Sequence, residues 1–228
     1  QYLNKMHKVL YIFRDKNNQK VYHKETDDFI CYQIRDGYEA RKIVPYDHLN
    51  QVSIKYKDRY NLDPEITYEG DVRITSKHAM DYYHFSNGEA KRTYDNVMYF
   101  DIEVDTGDER VFPTPKQARF PINMMTTIYN GHKIFYGIDN KTEPIKKIDD
   151  VEFKIFNNEK SMMQQFINDF KETDPDFIAG WNLINFDMDY IYNRLPKIGI
   201  DATSLSKFGE FFVEGEKYYC HLAGTITL

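Results

Sequence analysis

The sequence predicts an α/β domain preceded by a smaller α+β domain, and three observations support this fold class. The composition changes near residue 95, where charged and Tyr-rich segments give way to longer apolar runs. Beyond that point several strand-like runs are followed by a helix, a strand and a second helix, which is an α/β order. Before it, short strands alternate with a short helix. We therefore assign residues 1–95 to the first domain and 96–228 to the second.

The composition excludes several classes of protein. The chain has 228 residues, of which 41% are hydrophobic, so one large or two small domains are expected. With 36 acidic and 30 basic residues it is not a polybasic nucleic-acid binder, although a nuclease with clustered carboxylates stays possible. Cys31 and Cys220 are far apart, which argues against a disulfide framework or a Cys-ligated zinc. We expect no membrane span and no membrane partner, because no apolar run reaches about 18 residues. We also expect no secretion, because the first residues, Gln1 to Lys8, are polar and do not form a signal peptide.

The first domain is predicted from short strands and turn chemistry. Strands are expected at 8–13, 20–23 and 29–34, the first two joined by a polar turn at 15–18. The period of residues 50–60 fits either a strand or a helix. A short helix is predicted at 76–83, with Ser76 as its N-cap.

The second domain carries clearer patterns. Strands are predicted at 97–104, 124–129, 133–138, 152–156 and 177–181. Asn130-Gly131 between two of these strands is a strong hairpin signal. Asn158 is expected to cap a helix over 159–172, whose apolar residues share one face. A second helix is predicted at 187–195 and ends at Pro196.

Two carboxylates stand two positions apart on the first of these strands. Asp101 and Glu103 are predicted to point to the same face, with Ile102 between them in the core. Paired anions repel, and a divalent cation with oxygen ligands, Mg²⁺ or Mn²⁺, is the natural compensation. The alternative is an exposed acidic strand end without a metal.

A second polar group follows the predicted buried strand 177–181. The strand leaves at Gly180, where backbone can approach closely, and Asn182 then lies in a turn. Asp187 is expected in the first turn of a helix, where its charge complements the helix dipole. Taken singly, these residues also fit structural roles, with Trp181 in the core.

Together, the two groups resemble a known family. Phe-Asp-Ile-Glu-Val at 100–104 and Gly-Trp-Asn-x-x-x-Phe-Asp-x-x-Tyr-Ile-x-x-Arg at 180–194 resemble the first and second exonuclease motifs of family B DNA polymerases. The stretches 68–81, 112–122 and 224–228 are also similar to segments of that family, the second of them to tailed-phage members. The resemblance implies an RNase H-like exonuclease domain, a mixed sheet flanked by helices.

The resemblance also implies a site and its partners. Asp101, Glu103 and Asp187 would be the catalytic and metal-binding carboxylates, holding two Mg²⁺ or Mn²⁺ ions. Asn182, Phe186 and Phe112 would contact nucleic acid, namely the single-stranded 3′ end of a DNA primer. The parent enzyme would replicate DNA, remove mismatched 3′ nucleotides, bind a sliding clamp and other replisome proteins, and work in the cytoplasm of a phage-infected cell.

One departure from the family pattern leads to further expectations. No Tyr-x-x-x-Asp, the third exonuclease motif, follows residue 187, and Tyr218 and Tyr219 have Leu222 and Ala223 four positions later. We therefore expect a piece of a longer protein that lacks the fourth carboxylate and the polymerase segment. A hairpin around Gly215, over 211–219, resembles the strand-separating hairpin of the family. The alternatives are a stand-alone nuclease of this fold and an inert module that guides single-stranded DNA.

Overall fold

The structure, a computed structural model, describes residues 1–85, 96–139 and 150–228. These residues form two compact units, one of residues 1–13 and 21–85 and the other of residues 14–20, 96–139 and 150–228. Residue 95, the predicted end of the first domain, lies outside the described residues. Within the described ranges, no helix is both long and apolar enough to cross a membrane.

The described residues of the first part of the chain form short strands and one α-helix. They are β1 (Tyr2–Leu3), β2 (Lys8–Arg14), β3 (Lys20–Thr26), β4 (Asp28–Ile34), β5 (Leu49–Lys55), β6 (Thr67–Tyr68) and α1 (Ile74–Phe85). Two three-stranded sheets result, in the orders β1-β2-β3 and β5-β4-β6. The region 50–60, whose period fitted both structures, is strand β5 followed by a 3₁₀ turn over Tyr56–Asn61.

The predicted N-cap of α1 was wrong. The helix begins at Ile74, two residues before Ser76. The N–H of Lys77 donates to the carbonyl of Arg73 at 2.9 Å, so the first helical turn closes before Ser76 can cap it.

The second part of the chain is built on a six-stranded mixed sheet. Its elements are β7 (Val97–Val104), β8 (Ile122–Tyr129), β9 (His132–Ile138), β10 (Val151–Phe156), α2 (Glu159–Thr173), β11 (Phe177–Ala179), α3 (Asp189–Arg194), β12 (Phe211–Glu214), β13 (Tyr219–Leu222) and β14 (Ile226–Thr227). The sheet order is β10-β9-β8-β7-β11-β14. The β7–β8 and β8–β9 pairs are antiparallel, and the other three are parallel. This mixed α/β arrangement agrees with the predicted fold class.

Strand β7 lies at the centre of the core and of the site. Met98, Phe100 and Ile102 are buried while the residues between them are exposed, the two-residue period of a strand with one covered face. The covered face packs on α2, where the ring of Phe166 lies 6.0 Å from that of Phe100. The predicted cap of α2 is confirmed, since Asn158 accepts a hydrogen bond from the N–H of Ser161.

The predicted strand 177–181 is too long. β11 ends at Ala179, and Trp181 is 93% exposed rather than part of the core. The reason lies at Gly180, where an added Cβ would stand 2.6 Å from the backbone oxygen of Phe100. The predicted close approach at Gly180 is therefore correct, and the chain leaves the sheet at this point.

The second predicted helix is composite. It opens with a π-helical stretch, Ile184–Met188, continues as α3 and closes with a 3₁₀ turn, Leu195–Ile198. Pro196 sits in the first turn of the 3₁₀ segment, a position that needs no backbone donor. The predicted hairpin is also present, because β12 and β13 pair antiparallel around Gly215.

Candidate active site

Asp101 and Glu103 both project from the exposed face of β7. Each is exposed, while Ile102 between them is 4% exposed and belongs to the core. On the neighbouring strand β8, Thr126 lies opposite Asp101 and Met124 opposite Glu103. The structure thus places the two carboxylates side by side on an open sheet face, as the two-residue spacing predicts.

Asp187 is brought to the same strand from a distant part of the chain. Its side chain is 2% exposed, and its Oδ1 accepts a 3.2 Å hydrogen bond from the backbone N–H of Ile102. The π-helical stretch that carries it is closed by a bond from the N–H of Met188 to the carbonyl of Leu183, 2.8 Å long. Such π-helical turns are rare in proteins as a whole, and many of those that exist lie at functional sites.

The pKa of Asp187 is strongly raised. Burial raises its pKa, the hydrogen bond from Ile102 acts in the opposite direction, and the negative charges of Asp101 and Glu103 raise it further, to about 7. The pKa shift shows that the three carboxylates share one electrostatic environment. This environment favours either a proton on Asp187 or a cation beside it.

The acidic side chains of the site do not form a ready metal-binding cluster. Within residues 1–85, 96–139 and 150–228, no three His, Cys, Asp or Glu side chains are close enough together to hold a metal ion. The site therefore consists of two exposed carboxylates on β7 and a buried one that is hydrogen-bonded to the backbone between them.

Asn182 and Trp181 form the turn that follows β11. Asn182 adopts a left-handed conformation with φ of 55°, which asparagine tolerates better than most residues. Its carbonyl accepts from the N–H of Phe186 at 2.9 Å, so the turn leads directly into the helix of Asp187. Because Ala179 pairs with Tyr99, the turn leaves the sheet beside Asp101.

Phe112 and Phe186 lie next to each other near this turn. Their ring centroids are 5.6 Å apart, and the ring of Phe186 lies 5.6 Å from that of Tyr190. Phe112 is 81% exposed, on the long loop between β7 and β8. The structure therefore brings the two phenylalanines together and places one of them directly before Asp187.

The β12–β13 hairpin shows both kinds of aromatic residue. Phe211 is buried against the ring of Tyr192, at 5.2 Å. Phe212, Tyr218 and Tyr219 are exposed. The hairpin therefore contributes one aromatic ring to the core and presents three others at the surface.

Comparison with known proteins identifies the class. Residues 51–219 match the family described as DNA polymerase family B, exonuclease domain. The chain therefore belongs to this family and carries the exonuclease domain of a family B DNA polymerase.

Individual relatives agree with this assignment. The DNA-directed DNA polymerase of Escherichia phage RB69 is 28% identical over 132 residues, and that of Enterobacteria phage T4 is 30% identical over 141 residues. These alignments cover 47% and 51% of this chain but only 14% and 15% of the relatives. The catalytic subunit of DNA polymerase delta from Plasmodium falciparum is 35% identical over 106 residues, covering 43% of this chain and 9% of that protein.

Two features of the site were not found from the sequence. Trp181 is exposed beside the turn, although a tryptophan after an apolar run is usually in the core. Arg194 and Glu159 form a buried ion pair with a 2.7 Å contact, and no local pattern links them. The only sequence signal was the arginine that ends the second motif.

Proposed function

We propose that this chain is the proofreading part of a family B DNA polymerase, an RNase H-like domain that hydrolyses the 3′-terminal nucleotide of single-stranded DNA. The observation that carries the proposal is the position of Asp187. It reaches the backbone of Ile102, 85 residues away in the sequence, so that its carboxyl group comes within the electrostatic influence of Asp101 and Glu103.

The chemistry of these residues fits a divalent metal ion. All three supply oxygen ligands, which Mg²⁺ and Mn²⁺ prefer, and their mutual repulsion is the charge that a cation offsets. Asp101, Glu103 and Asp187 would hold two such ions, which supply a bound water of lowered pKa and neutralise charge on the phosphodiester. Asp187 also accepts a hydrogen bond from the backbone N–H of Ile102, the residue between the two other carboxylates, and so ties its own turn to the strand that carries them.

Four residues would receive the DNA strand. Asn182 would orient the terminal nucleotide, and its turn, which leads from the sheet into the helix of Asp187, supports this role. The exposed rings of Phe112 and Trp181 and the half-buried ring of Phe186 offer surfaces on which bases stack. The negative carboxylates and neutral aromatic rings suit a single strand held by stacking more than by phosphate contacts.

The activity of the parent protein is a further part of the proposal. The chain spans about a seventh of the length of the phage polymerases it matches. A protein with this domain would be a DNA-directed DNA polymerase in which the removal of mismatched ends serves replication. We infer that it acts inside a phage-infected cell together with a sliding clamp.

Asp101→Asn in the full-length gene product tests the proposal. Degradation of 5′-labelled single-stranded DNA with Mg²⁺ should fall by about 100-fold or more, the scale on which loss of one preorganised electrostatic group acts. DNA synthesis by the same protein should not change. The matched control is Asp105→Asn, which changes an exposed aspartate just beyond the same strand.

The alternatives give different results. Unchanged degradation by Asp101→Asn contradicts the proposal. A wild-type protein that binds single strands but never shortens them is an inert guide. A protein that degrades 3′ ends without synthesising DNA is a stand-alone nuclease.

A further inference from the structure

The guanidinium of Arg194 forms a bidentate ion pair with Glu159. Its Nε donates to Oε1 at 2.9 Å and its Nη2 to Oε2 at 2.7 Å. The side chains of Arg194 and Glu159 are only 13% and 9% exposed. Since Glu159 begins α2 and Arg194 ends α3, the pair joins two helices.

The same two side chains also hold the backbone that leads into β8. Nη1 of Arg194 donates to the carbonyls of Ala118 and Arg119, at 3.1 and 3.0 Å. Oε1 of Glu159 accepts from the N–H of Ile122 at 2.8 Å. We call residues 118–122 the anchored segment, because both partners of the ion pair bind its backbone.

Tyr190 adds a second attachment one helical turn earlier on α3. Its hydroxyl donates to the carbonyl of Phe120 at 2.8 Å and lies 3.2 Å from the N–H of the same residue. Ala118 has a left-handed φ of 38° and is fully buried. A residue other than glycine persists in that conformation only where its surroundings hold it.

The anchored segment ends the loop that carries Phe112. The loop runs from Asp105 to Pro121, and the N–H of Asp105 donates to the carbonyl of Pro121 at 3.0 Å. Outside the anchored segment, the loop brings Phe112 against Phe186. Phe186 directly precedes Asp187, and the same helix continues to Tyr190 and Arg194. One helix therefore carries a catalytic carboxylate at its start and holds the aromatic loop at its end.

We propose that Arg194, Tyr190 and Glu159 are positioning residues, which fix the 105–121 loop so that Phe112 receives a DNA base in register with Asp101 and Asp187. This inference rests on the proposed exonuclease function. The residues do not touch the reacting atoms, and they act through the loop.

The planar fork of arginine is essential to this arrangement. Four hydrogen bonds leave one guanidinium in fixed directions, toward a carboxylate and two carbonyls. A lysine keeps the charge but has a single flexible donor group, so it cannot satisfy both sides at once. A buried ion pair is by itself weak evidence for a stabilising role. In this pair both side chains also bind the backbone of one loop, which points to a role in positioning that loop.

The test combines Arg194→Lys with Phe112→Ala in the full-length gene product. Arg194→Lys should raise KM for single-stranded DNA about tenfold, with a smaller change in kcat, because misplacement by about 1 Å costs up to roughly 100-fold. In the Phe112→Ala background the same substitution should raise KM no further, since both changes act through one ring. The matched control is Arg41→Lys, at an exposed pair with Glu39, which should leave KM unchanged.

Hydrogen exchange gives a second readout that needs no activity. Arg194→Lys should speed exchange at the amides of Ala118 and Ile122 while leaving β7 protected. The positioning role is refuted if Arg194→Lys raises KM equally in both backgrounds, or if hydrogen exchange in the anchored segment is unchanged. Absence of 3′ degradation by the wild type instead refutes the proposed function, and the exchange measurement still decides whether the loop is held.

Discussion

The backbone N–H of Ile102 donates to Oδ1 of Asp187 at 3.2 Å, so a buried carboxylate is bonded to the residue that separates two exposed ones. This bond fixes the π-helical turn of Asp187 against strand β7. It also holds a third carboxyl group, at a residue that is 2% exposed, within the electrostatic influence of Asp101 and Glu103. Stability and function therefore make opposite demands on Asp187.

Asp187→Asn should stabilise the metal-free protein at high pH and not at low pH. The pKa of Asp187 is raised by burial from 3.8 to about 7, so the folded protein keeps its proton where the unfolded chain has lost it. The resulting cost is absent below about pH 4, grows as the pH rises toward 7, and is constant above. Asparagine removes this cost, up to about 4 kcal/mol at about 1.4 kcal/mol per pKa unit.

Urea unfolding in EDTA at pH 4 and pH 8 measures this difference. Asp169→Asn is the control of opposite sign. Although burial raises the pKa of Asp169, hydrogen bonds from Lys154, Gln165 and Tyr136 lower it overall. Its contribution is present above the unfolded pKa and is lost as the pH falls, so Asp169→Asn should destabilise more at pH 8. An equal effect of Asp187→Asn at both pH values contradicts the assignment.

The sequence predicted the parts of this site that depend on local periodicity. Alternation along β7 put Asp101 and Glu103 on one face, because each strand residue points opposite to its neighbour. The Asn158 cap and the Asn130-Gly131 turn are likewise local, and both are present. The close backbone approach at Gly180 was also predicted, since glycine is the residue that permits it.

Features that depend on tertiary contacts were not predictable in this way. Trp181 continues an apolar run, and its exposure follows from the end of β11 against Phe100. The Arg194–Glu159 pair spans 35 residues and three elements, so no periodicity marks it. Ser76 had the right chemistry for a cap, but the preceding turn was already closed by the Arg73 carbonyl.

Gly180→Ala should disrupt the site by steric overlap. The new Cβ would lie 2.6 Å from the backbone oxygen of Phe100, and neither backbone can yield without moving β7 or β11. We expect a loss of about 1–3 kcal/mol in the free energy of unfolding, typical of overpacking, together with loss of exonuclease activity.

Gly107→Ala separates this overlap from the ordinary cost of replacing glycine. Gly107 has a φ of 58°, and an added Cβ there meets nothing within 4 Å. Its replacement should lower the free energy of unfolding by about 1–2 kcal/mol, the effect of the left-handed conformation alone, and should leave the carboxylates in place. Chemical unfolding and 3′ degradation of both variants decide the matter, and full activity in Gly180→Ala refutes the steric argument.

Trp181→Ala should weaken binding of single-stranded DNA without weakening the fold. The side chain is 93% exposed, so its removal takes away almost no packing. It follows Gly180 and precedes Asn182, beside the strand that carries Asp101, where a 3′-terminal base would pass. Loss of one stacking surface should cost about 1–3 kcal/mol of binding free energy.

Fluorescence anisotropy of labelled single strands in EDTA measures this affinity without hydrolysis. Trp181→Phe keeps a ring and should retain most of the binding, because stacking needs an aromatic face rather than the indole nitrogen. Tyr60→Ala is the matched control, since it removes an aromatic side chain that is 79% exposed in the other compact unit. Equal affinities of Trp181→Ala and Tyr60→Ala would show that exposure alone does not make Trp181 a base platform, and the DNA path would then rest on Phe112 and Phe186.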